Sequence, residues 1–401
     1  MNRTTAAKIT ESPEPSQRSA LRVLVGGILG MMVAMGIGRF AFTPILPLMQ
    51  RDLGISYSLA GSLASLSYAG YLAGALLCAL WPRVLRSTLV NVSALGVCIV
   101  ATLGMGLTNS AFGWCALRLV TGFASAILFV VIAVEVSEIL VRSRHSRWAS
   151  ALYGGIGLGI AMSGAIVPLL DWLGGWRAAW LGMGMLSVLL AMGGITLAGK
   201  SRGAIEVPDG ATPTGGNLVG ITRLASAYFL EGMGYIVSAT FLVTMIAHTP
   251  GLERFAPWSW VVVGLAAAPS TIIWQQIACR IGVRPALTLA FLLQACGIVL
   301  SSVATHAFST ALAAVIFGGT FLGIVALTMA EGGRRAGIQG RRAAAILTVC
   351  FGAGQVVGPP LAGLLADQQG SFMLPLLLAG AVVALGGVLV ATDGNFSTKQ
   401  P

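Results

Sequence analysis

The sequence predicts an all-α membrane protein: twelve transmembrane helices arranged as two pseudo-symmetric six-helix bundles. Three observations carry that prediction. First, 56% of the 401 residues are hydrophobic and only 9% are charged, with a mean hydropathy of +0.87. Soluble domains carry about 25% charged residues, so this chain cannot cover itself with a water-compatible surface. Second, apolar runs recur from Leu21 to Ala391, each near the roughly 20 residues that cross about 30 Å of hydrocarbon. Third, the basic residues gather in alternate connections between those runs, as multi-pass proteins require.

Taken in order, the first six spans are Arg22–Leu48, Tyr57–Leu80, Leu89–Leu107, Ala111–Ile139, Ala149–Leu170 and Ala178–Ala198. The second six are Ile221–Ala247, Trp258–Cys279, Ala286–Ala304, Thr310–Ala330, Ala343–Ala366 and Phe372–Ala391. The first and fourth exceed one bilayer width and must tilt or protrude. The interval 199–220, with Pro208, Asp209, Gly210 and Pro213, is a flexible linker between the bundles 21–198 and 221–391. Polar tails, 1–20 and 392–401, flank them. The stretch Met1–Ser19 has no apolar core and is not a cleavable signal.

The net charge of +11 invites a nucleic-acid reading, which its distribution rejects. Lys and Arg collect at Arg83 and Arg86, at Arg142 to Arg147, at Lys200 to Arg223, at Arg280 and Arg284, and at Arg334 to Arg342. The intervening connections hold Arg51, Arg177 and Arg254, each near an acid. That asymmetry predicts both termini on the cytoplasmic side of the inner (plasma) membrane. The partners it implies are a lipid bilayer, a small-molecule substrate and protons, with no nucleic acid, and we expect a monomer. The six cysteines show no C-x-x-C or Cys/His ligand spacing, so neither a metal nor another cofactor is expected.

The halves echo one another. Gly36-Ile-Gly38 recurs as Gly232-Met-Gly234 and Glu135 recurs as Glu331, both 196 positions on. Gly155-x-x-x-Gly159 recurs as Gly354-x-x-x-Gly358, 199 positions on. Duplication of this kind belongs to transporters whose site lies between the repeats near the bilayer midplane.

Several motifs resemble those of the major facilitator superfamily. Arg118-Leu-Val-Thr121-Gly122-Phe-Ala-Ser-Ala126 is similar to its R-x-x-Q-G-x-G-x-A motif, with Thr121 in place of Gln. Gly354-Gln-Val-Val-Gly358-Pro359-Pro360-Leu-Ala-Gly363 is similar to G-x-x-x-G-P-x-x-G-G, and Gly175-Trp176-Arg177 resembles the mark common before the sixth helix. The loop motif G-x-x-x-D-R-x-G-x-R is altered in both halves, with Cys78 and Cys279 where the acid belongs. The stretch from Gly36 to Met49 most resembles the YbfB/YjiJ-type branch. The resemblance covers the whole chain. It implies the major facilitator fold, secondary active transport, and a cavity lined by the first, fourth, seventh and tenth helices.

Three charges lie away from the ends of apolar spans: Arg39, Arg118 and Glu231. Each costs at least about 2.5–3.5 kcal/mol at mid-membrane, so each needs a use or a partner. Arg39 either forks onto a substrate carboxylate or phosphate, or pairs internally with Glu231 or with carbonyls and holds the bundle together. Arg118 either faces the cavity, where the resemblance associates it with proton coupling, or snorkels toward headgroups. Glu231 either carries a proton or forms a permanent pair with an arginine. Among Tyr68, Tyr71, Tyr228, Tyr235, Trp274, Gln275, Gln294 and Gln355, which put polar atoms into apolar spans, Tyr68 and Tyr235 join the candidate substrate-binding residues. Glu135, Glu138 and Glu331 end their spans near basic clusters and, with Arg280 and Arg284, form the candidate gating set.

Two arginines against one glutamate make a net-positive chamber, which predicts proton-coupled transport of an organic anion or acidic metabolite. Proton-coupled multidrug or metabolite efflux is the alternative within transport, and a membrane receptor or scaffold the alternative outside it. A polytopic enzyme is not expected, because no nucleophile–base pair or paired acids lie at membrane depth. No P-loop is present, so direct use of ATP is not expected either.

Overall fold

The computed structural model describes residues 17–198 and 218–396. Most of the expected linker and tails, at 1–16, 199–217 and 397–401, lies outside the described residues. The described residues are helical with no strand, and thirteen α-helices follow in order. They are α1 (Gln17–Met31), α2 (Phe42–Leu53), α3 (Tyr57–Leu80), α4 (Thr88–Met105), α5 (Ala111–Arg142), α6 (Ala149–Leu152) and α7 (Gly154–Ala198) in the N-terminal half. The C-terminal half holds α8 (Thr222–Ala247), α9 (Ala256–Ile281), α10 (Val283–Val303), α11 (Ala307–Ala336), α12 (Gly340–Gln369) and α13 (Met373–Ala391).

Eleven stretches among the described residues are long and apolar enough to cross a membrane. In hydrocarbon every backbone polar group must bond internally, which is why helices alone fill this fold. The surface matches that solvent: Leu89, Val100, Phe112, Leu169 and Trp172 stand exposed, while Arg39, Arg118, Glu231, Gln294 and Gln355 are buried. Polarity runs inside out relative to a soluble protein.

Two of the eleven stretches are broken. Residues 17–53 join α1 to α2 through a π-helical segment, Met32–Ile37. The 52-residue stretch Ser146–Leu197 is over twice the roughly 20 residues a bilayer needs. Its backbone leaves the helix at Gly174 and Gly175, and Gly175 has a φ of 65° that a side chain would strain. The chain doubles back there. Gly182 packs on Leu170, and Gly155 and Gly194, from the two arms, both lie against α1 between Gly26 and Met31.

The two halves of the chain meet mainly along three helix pairs, α3 with α12, α7 with α9, and α2 with α8. Small residues allow the approach. A Cβ on Gly61 would strike Pro359 of α12, and one on Gly157 would strike Gly264 and Ala268 of α9. Between α2 and α8, Thr43 Oγ1 donates to the carbonyl of Ala239 at 2.5 Å, across a separation of 196 residues. That separation is the repeat offset, so a residue bonds its own counterpart where the two halves cross.

The glycine repeat needs one correction. Gly159 packs on Met32 and Gly36, whereas Gly354 packs on Phe229, Gly232 and Met233. Because Gly232 is the counterpart of Gly36, it is Gly159, 195 residues earlier, that occupies the place of Gly354. Gly155 lies one turn earlier, against Ile28 and Met31. Equal spacing within the motif thus does not identify the structural counterpart.

Closure is uneven along the bundle. Met31–Leu46 and Gly234–Thr244 are buried without a break, while Phe129, Val130 and Ile132 to Glu135 of α5 are only half-buried. Arg335 gathers Gly220 and Asp393 onto one face. The tight end is the opposite face, where the carboxylate of Asp367, on α12, accepts hydrogen bonds from the N–H groups of Tyr57 and Ser58 at 2.9 and 2.8 Å. One half thus caps a helix of the other.

Candidate functional site

Arg39 sits where the first long stretch loses its α-helical ladder. Gly38 N–H bonds Val33 O and Phe40 N–H bonds Met35 O, both five residues back. Pro44 has no N–H to offer, and Thr43 N–H turns to Phe40 O instead of Arg39 O. The freed carbonyl of Arg39 accepts from Arg118 Nη2 at 3.4 Å, and Arg118 Nε donates to Leu63 O, also at 3.4 Å. A widened turn and a proline therefore create an acceptor inside the bundle, and a buried arginine uses it.

The Arg39 side chain, 3% exposed, reaches across to the other half of the chain. Its Nη2 donates to Gln355 Oε1 at 2.7 Å, and Gln355 Nε2 donates to Tyr235 Oη at 2.5 Å. Its guanidinium carbon lies 4.3 Å from the ring of Tyr71, 4.7 Å from Tyr68 and 5.5 Å from Phe40. Arg39 Nε has no hydrogen-bond partner. Ring faces, one amide and no acid surround this cation. Beyond Tyr235 the rings of Phe321 and Phe351 lie nearly parallel to it, at 5.9 and 5.5 Å.

Arg118 is buried from α5, with the ring of Phe42 4.7 Å from its guanidinium carbon. Its partners are two carbonyls and a ring. Glu231, 0% exposed on α8, accepts from Gln294 Nε2 of α10 at 2.6 Å. It makes no ion pair with Arg39 or Arg118, so the internal Arg39–Glu231 bridge considered above does not form in this conformation.

The structure thus joins Arg39, Tyr68 and Tyr235 in one cluster and links Arg118 to it through the backbone. Glu231 contacts α10 instead. Gln355 and Gln294 are the residues that sequence reasoning named but left out of the site. Their signal was an amide in an apolar span, which hydrocarbon cannot satisfy. Tyr71, closest of the rings to Arg39, was passed over in the same way.

The gating set lies elsewhere. Glu138 pairs with Arg142 one turn on, at 2.7 Å. Glu331 accepts from Arg334 and Arg335 at 2.6 and 2.7 Å, and Arg335 continues to Asp393 at 2.6 Å. Burial works against ionising Asp393, but hydrogen bonds from Arg335 and Asn395 outweigh it and hold the carboxyl below the usual carboxylate range. Arg284 donates to Ala391 O, and Arg280 is exposed in the last turn of α9, where its charge complements the helix dipole. Glu135 sits half-buried on α5. The partners just named for Glu138, Glu331 and Arg284 lie within their own half of the chain.

A family model described as "Uncharacterised MFS-type transporter YbfB" matches residues 31–391. The chain belongs to the MFS-type transporters. It is a secondary transporter and a multi-pass membrane protein, not an enzyme. Among solved structures, the nucleoside transporter NupG matches with a TM-score of 0.71 and 12% identity, over 94% of this chain and all of that one. A mutant form of NupG matches equally well, at 13% identity. At such identities the likeness is one of fold. No curated protein matches the sequence.

Proposed function

We propose that the protein moves a small organic anion, or acidic metabolite, by proton-coupled alternating access. One observation carries the anion preference: two buried guanidinium groups, Arg39 and Arg118, have hydrogen-bond partners that are amides and carbonyls and no acid. A carboxylate ligand would supply what Arg39 lacks. It could fork onto the guanidinium while its body lies among Tyr68, Tyr71 and Tyr235. Arg118 holds the backbone that presents Arg39.

In this reading the doubled-back stretch counts as two spans, giving twelve helices in two six-helix bundles, 21–198 and 221–391. The protein is a monomer in the inner membrane with both termini cytoplasmic. Glu231 is the proton-carrying group, and the bundles rock about the central cluster. The candidate gating residues hold the cytoplasmic ends of each bundle.

Uptake into proteoliposomes tests this directly. Under an imposed proton gradient, aromatic and aliphatic carboxylates should accumulate, and neutral nucleosides, which the structural neighbours carry, serve as the uncharged comparison. Accumulation of nucleosides or organic cations with no carboxylate uptake would reject the anion preference.

Alternating access has its own test at Asp367. Removing a helix cap costs about 0.5–2 kcal/mol, a shift of about two- to thirty-fold in the ratio of closed to open states. With spin labels at Leu53 and Ser371 in a cysteine-free background, Asp367→Ala should enlarge the long-distance population by that factor. An unchanged distance distribution would mean that this cap does not hold the face shut.

A further inference from the structure

Glu231 and Gln294 leave matching loose ends. Gln294 Nε2 donates to Glu231 Oε1 at 2.6 Å, and both side chains are fully buried. Two oxygens are then without any hydrogen-bond partner, Glu231 Oε2 and Gln294 Oε1. If the carboxyl is ionised, both are acceptors only and neither can serve the other. Turning the amide over does not help, because a carboxylate has nothing to donate to the amide oxygen.

One proton resolves both. On Glu231 Oε2 it converts an acceptor into a donor. Carboxylic acid and primary amide can then close a reciprocal pair, in which each group donates once and accepts once. We propose that Glu231 binds a proton in this conformation and that Gln294 is the partner that recognises the protonated form. This inference rests on the proton-coupled reading above, which already names Glu231, and adds the partner that holds its proton.

No basic side chain pairs with Glu231; the buried guanidinium of Arg39 is turned to Gln355 and the tyrosine rings. On α8 itself the nearest titratable neighbours along the helix are Tyr228 and Tyr235, both buried. From α10 comes Gln294, while its Cys296 is exposed; the charged residues of α9 and α11 lie toward their C-terminal ends. The face of α13 that packs near Ala227 and Gly234 does so through Ala379, Val383 and Gly386, and Met373–Ala391 contains no titratable residue. From α12, Phe351 stacks on Tyr228 and Tyr235 and Gln355 bonds Tyr235; Cys350 is its nearest titratable group in sequence. An ionised carboxyl here would be stranded. A hard metal cation fits poorly too, since such ions take about six oxygen ligands and the pair has two to spare.

The pair also sits where a proton can be felt. Loss of the proton sets the Glu231 carboxylate against the Gln294 amide oxygen, which pushes α8 from α10. One turn along α8, Tyr235 holds Gln355 and through it Arg39. Proton release at the α8–α10 contact is thereby transmitted to the anion-facing guanidinium.

Infrared difference spectroscopy on the purified full chain tests the proposal, with protons alone as the probe. A carboxylic-acid C=O band should be present near neutral pH, shift down in D2O, vanish in Glu231→Gln and move up in Gln294→Leu, where the acid loses its partner. The sign for stability follows. A proton held by the folded but not the unfolded chain stabilises at low pH, and that stabilisation is lost as pH rises through the folded group's titration. The melting temperature of the wild type should therefore fall on the alkaline side, while that of Glu231→Gln, whose amide pair needs no proton, should not show that loss. A missing band in the wild type, a band unchanged in Glu231→Gln, or a band removed by sodium at fixed pH overturns the proposal. A band that behaves as expected in a protein whose transport ignores the proton gradient supports the proton site and removes the coupled-transport reading alone.

Discussion

Arg39→Ala is expected to abolish saturable anion uptake while leaving the protein folded. A charge-assisted hydrogen bond contributes about 1.5–3 kcal/mol, so losing a two-pronged contact lowers affinity by about a hundredfold or more. Arg39→Lys keeps the charge without the planar fork and should fall between the two. Stability should respond differently. The native guanidinium is buried with an amide, three rings and an unpartnered Nε, so alanine also removes an unpaired charge from a water-poor interior. Uptake in proteoliposomes, read beside a thermal melt, separates the two effects. Lost uptake with a preserved or raised melting temperature fits a ligand-binding arginine. Lost uptake with collapse of the melt would make Arg39 a structural strut, and preserved uptake would remove it from the site.

How much of this was legible in the chain depends on the length scale of the signal. Bilayer-crossing runs, alternating basic loops and the family motifs each span many residues, and they predicted the helical class and the transporter family. The 196-residue offset pointed to duplication, but not to the bond by which Thr43 meets its own counterpart, Ala239. What stayed hidden was pairing between distant spans. Arg39 and Glu231 are opposite charges in apolar segments, and nothing in the sequence says that one meets Gln355 and the other Gln294. An amide in an apolar span signals a need for a partner, but many donors and acceptors could meet that need and the sequence does not say which. The broken first helix was partly visible in Gly36, Gly38, Pro44 and Pro47, but the freed carbonyl that results, and the arginine 79 positions away that takes it, required three dimensions.

Arg118→Ala is the companion experiment, and its expected effect is indirect. Arg118 lies on α5 and touches Arg39 only through the main chain, at the carbonyl released by the π-helical turn and Pro44. Its second bond ties α3 at Leu63. Removing it leaves two buried carbonyls with one donor fewer each, at about 1–3 kcal/mol for a group left unsatisfied, although both bonds are long at 3.4 Å. The segment carrying Arg39 is then free to shift, and a displacement of about 1 Å at a positioning contact is enough to cost about a hundredfold. We therefore expect a lower melting temperature together with a large loss of anion affinity. The decisive comparison is the double variant. If Arg118 acts by holding Arg39 in place, then Arg118→Ala in an Arg39→Ala background should cost stability but almost no further function, whereas two arginines that bind the ligand independently should lose affinity additively. Arg118→Lys sharpens the point, since an ammonium keeps the charge but lacks the rigid fork that spans both carbonyls. Full activity in that variant would mean that Arg118 contributes charge alone and that the backbone around Arg39 holds its shape without help.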